Sequence, residues 1–220
     1  MLKSKIPQDI DSRGAVRPAI FLTLAASLIY GVSSGIRANY GILLGPVSQN
    51  SGVDYASVSF VLAVAQLSFG IMQPVFGVLA MRRSSPFVLR LGVGLMMAGL
   101  LFLPFCKSIW TLLMVLGLVL PSGTAALAFG IVMGVLTSKL PRQHVTTASG
   151  VVTASAGVGS TVIAPVMQAL TTALGLLGTM VFLSFPTLLL FPASMYLCRP
   201  IKTAIAEEKT AETFQMVALV

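Results

Sequence analysis

Arg37 is a cation deep inside one of the long apolar segments of this sequence, and it is the residue best placed to do chemistry there. On a helix it would lie about 28 Å along the axis from Pro18, at 1.5 Å per residue. A charge inside a membrane costs about 3 kcal/mol on insertion scales and indicates a functional site. No Asp or Glu lies in any apolar segment. An exogenous carboxylate, which a guanidinium binds through two parallel hydrogen bonds, is therefore one predicted partner. The alternative is that Arg37 lies near the outer interface and reaches water.

Four further polar residues could complete a substrate site around Arg37. Asn39 and Tyr40 follow it within one turn, and Gln66 and Gln73 stand in the next apolar segment. Tyr40 also fits the aromatic belt that forms at membrane interfaces. Hydrogen bonds between packed helices are the structural alternative for each of these side chains. We predict a substrate-binding cluster of Arg37, Asn39, Tyr40, Gln66 and Gln73.

Signatures of enzymes and metal sites are absent from the sequence. There is no carboxylate pair in an apolar segment, no His/Cys cluster and no glycine-rich phosphate loop with its lysine. Cys106 and Cys198 do not stand at a spacing typical of metal ligands. We therefore expect no catalytic residue, no metal site and no cofactor, and we predict that the protein is not an enzyme.

Composition places the chain in a lipid bilayer. Apolar residues make up 56% of the 220 residues and charged residues only 9%, a balance that a soluble domain could not bury. The net charge of +8 would suggest nucleic acid as a partner of a soluble protein, but here the cations lie between apolar segments. That pattern sets membrane topology, so we expect a bilayer and no nucleic acid as partner.

Six segments are long and apolar enough to cross a membrane. The predicted fold is an all-α integral membrane domain over residues 18–197, between cytoplasmic tails of residues 1–17 and 198–220. The predicted helices are Pro18–Leu44, Tyr55–Ala80, Phe87–Phe105, Ile109–Leu136, Thr146–Leu170 and Gly175–Leu197.

The distribution of Lys and Arg predicts the orientation of these helices. With the N-terminus inside, Arg37 and Lys107 are the only two of the 14 cations in the outer half, and both termini are cytoplasmic. We expect a multi-pass protein of the cell (inner) membrane.

Polar residues and prolines suggest an internal repeat of three helices. Polar side chains concentrate in helices 1, 2, 4 and 5, which we expect to line a cavity while helices 3 and 6 lie peripherally. Pro74 in helix 2 and Pro165 in helix 5 are separated by the same number of residues as Pro18 and Ile109, where helices 1 and 4 begin. Transporters are commonly built from such repeats.

The stretch GIRANYGILLGPVSQNSGVDYASVSFVLAVAQLSFGIMQPVFGVLAMRR resembles the first two helices of bacterial major facilitator superfamily transporters of the monocarboxylate-porter-like branch. In that branch a cation precedes a Phe/Tyr-Gly and a proline, and Arg37, Tyr40, Gly41 and Pro46 stand in those places. The resemblance covers about residues 18–200 and implies cavity-lining helices 1, 2, 4 and 5.

Two sequence signatures of that family have counterparts that imply roles in conformational change. The signature after helix 2 reads Gly77, Val78, Leu79, Ala80, Met81, Arg82 here, with Met81 in place of the family's Asp. The helix 5 signature is approximated by Gly157, Gly159, Ala164 and Pro165. In the family, this acidic residue helps to hold the two halves together on the cytoplasmic side. Met81 has no charge to make that contact, so gating in this chain would differ from that of the family.

The resemblance implies one six-helix half of a twelve-helix transporter. We predict a half-length secondary transporter for a small organic anion such as a monocarboxylate, working by alternating access. A second copy or a separate six-helix chain would supply the other half. The alternatives are a truncated remnant without transport activity and a structural or regulatory membrane subunit.

Overall fold

The computed structural model describes residues 12–140 and 142–198, and in these ranges the chain is helical almost throughout. Of the predicted tails, residues 1–11 and 199–220 lie outside the described residues, whereas residues 12–17 belong to the first helix. The α-helices are α1 (Ser12–Ala38), α2 (Leu44–Ser51), α3 (Tyr55–Arg82), α4 (Ser85–Phe102), α5 (Ile109–Met114), α6 (Leu120–Ala126), α7 (Phe129–Thr137) and α8 (Arg142–Leu197). The described residues also form two short 3₁₀ turns, Tyr40–Leu43 and Leu103–Phe105, and one π-helical turn, Val115–Val119.

Five segments of the described chain are long and apolar enough to cross a membrane. They are Ala19–Ala38, Tyr55–Arg82, Ser85–Phe105, Ile109–Thr137 and His144–Leu197. The first four correspond to predicted helices 1 to 4, whereas the fifth contains predicted helices 5 and 6 together. The multi-pass membrane fold is therefore confirmed. The prediction gave six helices, whereas the described chain has five continuous apolar segments.

The fifth segment reverses its direction at Gly175. This residue has φ 66° and ψ −170°, a conformation that interrupts the helix and that glycine adopts without a steric penalty. A straight helix of 56 residues would be about 84 Å long. Instead, the Nζ atom of Lys139, just before α8 begins, donates a hydrogen bond to the carbonyl of Leu197, where α8 ends. The two halves of α8 thus form a hairpin with its tip at Gly175.

The first predicted helix ends earlier than its hydropathy suggests. The prediction extended it to Leu44, but α1 ends at Ala38 and a 3₁₀ turn follows. The side chain of Asn39 donates to the carbonyl of Gly35 at 2.8 Å, which competes with the backbone hydrogen bond that would continue the helix. The prediction was wrong at this end because hydropathy reports the apolar stretch and not the local hydrogen bonding.

The fourth predicted helix is interrupted twice. Pro121 cannot donate to Gly117, one turn earlier, and the backbone before it widens into the π turn Val115–Val119. A second break falls at Leu127 and Ala128, where Ala128 adopts an extended conformation (φ −67°, ψ 158°). The continuous helix predicted over Ile109–Leu136 is therefore wrong, and the second break carries no proline or glycine that would have marked it.

Small residues bring α1 and α8 into close contact. A methyl group added at Gly35 would lie 2.7 Å from the carbonyl oxygen of Gly159, and one added at Gly31 would lie 2.9 Å from that of Ser155. Gly159 in turn packs directly on the carbonyl of Gly31. These residues are spaced as small-xxx-small on both helices, a pattern that drives helix association in membranes. Among the apolar segments of the described chain, the fourth is the most buried and α3 is the least.

Replacing Gly159 with alanine should lower the stability of the protein in detergent by about 1–3 kcal/mol, because the added methyl group meets backbone atoms that cannot rotate away. We expect a lower midpoint of thermal unfolding, followed by circular dichroism. The matched control is Gly157→Ala on the same helix, where the added carbon meets nothing within 4 Å. Equal midpoints for the two variants would contradict the close crossing of α1 and α8.

Candidate functional site

A small cavity of about 150 Å³ lies beside Arg37, between α1, α3, α6 and α7. Its lining residues are Tyr30, Ser33, Ser34, Arg37, Phe69, Gln73, Thr124, Ala128 and Phe129. The four residues from α1 follow the i, i+3, i+4, i+7 spacing of one helix face. Hydroxyls, an amide, a guanidinium and aromatic rings therefore converge on one space within an apolar bundle.

Arg37 is held by two neutral groups from α3. Its Nη1 atom donates to Oε1 of Gln66 at 3.3 Å, and its Cζ atom lies 4.2 Å from the centre of the Phe69 ring. The ring face is electron-rich and attracts a cation at this distance. Gln66 is the only hydrogen-bond acceptor of Arg37 among the described residues. Most of its five N–H donors are left for a ligand.

No acidic side chain of the described chain neutralises Arg37. Asp54 is the one carboxylate between residues 12 and 198, and it caps α3, where it accepts from the backbone N–H of Ser57 at 3.1 Å. Hydrogen bonds from Ser57 hold the pKa of Asp54 below its ordinary value, so this carboxylate stays ionised and engaged at the cap. The cavity therefore carries an uncompensated positive charge.

The break in the fourth segment adds polar backbone to the same cavity. Ala128 and Phe129 line it, and α7 begins there. Ile131 and Val132 donate to the carbonyl of Ala128, but the N–H groups of Phe129 and Gly130 find no acceptor among the described residues. Free N–H groups at a helix start carry partial positive charge and favour anions. The start of α7 thus adds partial positive charge next to the cavity that Arg37 lines.

Tyr40 lies behind the cavity and does not line it. Its side chain is 3% exposed, and its hydroxyl has Thr124 and Arg37 as polar neighbours. That hydroxyl completes no hydrogen bond within the part of the chain that the structure describes. A buried hydroxyl without a partner is costly and remains available to donate.

The structure brings together three of the five predicted site residues. Arg37 and Gln73 line the cavity, and Gln66 bonds to Arg37 from its edge. The Nδ2 atom of Asn39 instead donates to the carbonyls of Gly35 and Ser160, at 2.8 and 3.0 Å, which ties α1 to α8. Asn39 is therefore engaged in helix packing.

The residues predicted to serve conformational change fall at different places. Gly77 lines a second cavity of about 340 Å³, which shares Gln73 and Ala128 with the first and extends to Met81. Arg82 is exposed at the end of α3, Gly157 and Pro165 are exposed on α8, and Gly159 packs against α1.

Sequence reasoning missed the aromatic residues of the cavity. Phe69 stands three residues after Gln66 and four before Gln73, so all three share one face of α3. That spacing could have identified Phe69. Tyr30 precedes Arg37 by two helical turns, so spacing along α1 could have identified it as well. Phe129 lines the cavity next to the break at Leu127 and Ala128, which neither of those residue types indicates.

Comparison with known proteins gives two matches. A family model described as Major Facilitator Superfamily matches residues 26–218. A protein of Mus musculus named Monocarboxylate transporter 11 is 33% identical over 181 residues, which cover 80% of this chain and 39% of the mouse protein. The chain thus spans about two fifths of the length of that relative.

Proposed function

Because the chain belongs to the major facilitator superfamily, we propose that it is a secondary transporter for a small organic anion such as a monocarboxylate. The observation that carries this proposal is Arg37, a cation without an acidic partner in the described chain, at a cavity inside the bundle. The anion would cross by alternating access, in which helix bundles rock around a central site.

The arrangement around the cavity favours a single carboxylate as ligand. The guanidinium of Arg37 would bind two carboxylate oxygens, with its plane set by Gln66 and Phe69. The N–H groups at the start of α7 would lie on another side of the anion, and the hydroxyls of Ser33 and Ser34 could accept or donate. The name of the mouse relative, Monocarboxylate transporter 11, agrees with this ligand class.

We further propose that the chain crosses the inner membrane of the cell six times. Both of its ends would then lie in the cytoplasm. The hairpin at Gly175 supports two crossings within α8, since its end returns to Lys139 near its start. With this number of crossings, most Lys and Arg residues fall on the membrane side where α8 ends, which is the side expected to be cytoplasmic.

A second helix bundle would complete the transporter. Gln66 and Gln73 on α3 and Thr153, Thr161 and Gln168 on α8 are exposed in a single copy. Polar side chains are costly against lipid, so they favour a covering protein surface or a water-filled space. A second copy of this chain, or a separate six-helix chain, would supply that surface.

Replacing Arg37 with glutamine should abolish uptake of [¹⁴C]propanoate into proteoliposomes while leaving membrane insertion intact. The loss of charge-assisted hydrogen bonds corresponds to an effect of at least about tenfold. Uptake at the level of the parent protein in Arg37→Gln would contradict the anion site. Propanamide, a neutral isostere, should not compete with propanoate.

Two variants serve as controls for this test. Lys107→Gln removes an exposed cation from a loop, where it contacts Asn50, and should leave uptake unchanged. Asn39→Ala should lower thermal stability by about 1 kcal/mol, because two carbonyls lose their donor. It should leave the KM for propanoate near that of the parent protein.

Native mass spectrometry of the protein, purified gently from its own membrane, should show a homodimer or a complex with another helical chain. The reason is the exposed polar face of α3 and α8. A stable complex that carries propanoate uptake would support the transporter. A lone, unstable monomer without uptake would contradict it and favour a non-transporting remnant, whereas co-purification with an unrelated membrane complex would favour a structural or regulatory subunit.

A further inference from the structure

The guanidinium of Arg37 is oriented entirely by uncharged groups in the part of the chain that the structure describes. Gln66 provides an amide oxygen at 3.3 Å, and Phe69 provides a ring face whose centre is 4.2 Å from Cζ. The two residues stand three positions apart on α3, so they present adjacent side chains to the same partner. We call Gln66 and Phe69 the neutral cradle.

The neutral cradle leaves the positive charge of Arg37 uncancelled, whereas an ion pair would not. A carboxylate at either position would hold the guanidinium equally well, but it would cancel the charge that attracts an anion. An amide oxygen and a ring quadrupole fix the position of the cation and leave its net charge intact. Phe69 is the stronger candidate for this role because it is half-buried and lines the cavity, whereas Gln66 is exposed.

We propose that Phe69 is a positioning residue, which holds the Arg37 guanidinium through its ring face so that the cation meets a carboxylate in the cavity. Together with Gln66 it makes the site selective for anions over neutral solutes. This inference rests on the proposed function, since it assigns the residues that orient the cation of that site.

The test compares variants of Phe69 in the protein as purified, in whatever assembly it forms, by equilibrium dialysis with [¹⁴C]propanoate. Phe69→Leu keeps an apolar side chain but removes the ring, and it should raise the Kd for propanoate about tenfold. Phe69→Trp retains a ring face and should bind within about threefold of the parent protein. Leucine is smaller than phenylalanine and tryptophan is larger, so a role in filling space predicts weaker binding in both variants, whereas the ring contact predicts weaker binding in Phe69→Leu alone.

Gln66→Glu gives a second, independent test at an exposed position, where loss of folding is not expected. The new carboxylate should pair with Arg37 and reduce propanoate binding to the level of Arg37→Gln. The thermal-unfolding midpoints of Phe69→Leu, Phe69→Trp and Gln66→Glu should stay close to that of the parent protein. A substitution that merely loosened the bundle would shift the midpoint and would not be rescued by tryptophan.

The outcomes separate this inference from the proposed function. If Arg37→Gln loses binding but Phe69→Leu and Gln66→Glu bind as the parent does, the neutral cradle is overturned and the anion site stands. Equal weakening by Phe69→Leu and Phe69→Trp would overturn the ring contact. If the parent protein binds no propanoate, or Arg37→Gln binds it unchanged, the proposed function itself is overturned.

Discussion

One guanidinium, that of Arg37, lies inside an apolar helix bundle, and the groups packed around it must accommodate its charge. Arg37 has no carboxylate partner in the described chain, so its charge is stabilised by dipoles: an amide oxygen, an aromatic face and nearby hydroxyls. Burial of a charge without compensation would cost several kcal/mol. The arrangement is tolerable because the side chain is only half-buried and retains contact with an open cavity. Under the proposed function, the residue that binds the anion is therefore also the one whose charge the bundle must accommodate.

Helix packing around Arg37 follows from the two faces of α1. Gly31 and Gly35 face α8, where backbone meets backbone, while Arg37, two residues beyond Gly35, points to the opposite side and meets α3. The close crossing leaves α1 little freedom to rotate, because any rotation would drive side chains into the α8 backbone. The small residues therefore fix the direction in which Arg37 projects, and the neutral cradle on α3 fixes where its plane lies.

Hydropathy predicted the first four apolar segments because the bilayer imposes a length and a polarity on each of them. Arg37 was identifiable for the same reason, as a charge in an apolar segment. The prediction also placed a helix boundary between Leu170 and Gly175, next to the turn that the structure forms at Gly175. The break at Leu127 and Ala128 was not predictable, since neither residue disfavours a helix. The role of Asn39 depended on Ser160, 121 residues away, and no local pattern reports such a contact.

The break between α6 and α7 lies beside the same cavity as Arg37 and the neutral cradle. A continuous fourth helix would place fully bonded, electrically neutral backbone beside the cavity, whereas α7 begins there at Phe129, and the N–H groups of Phe129 and Gly130 have no acceptor among the described residues. Under the proposed function, these donors and the guanidinium would already be in place when an anion binds and would need little reorganisation. Such preorganised groups bind more strongly in a site of low dielectric than they would in water. Under the proposed function, the same arrangement would repel cations and offer neutral solutes no opposite charge, so that selection by charge would follow from the folded bundle.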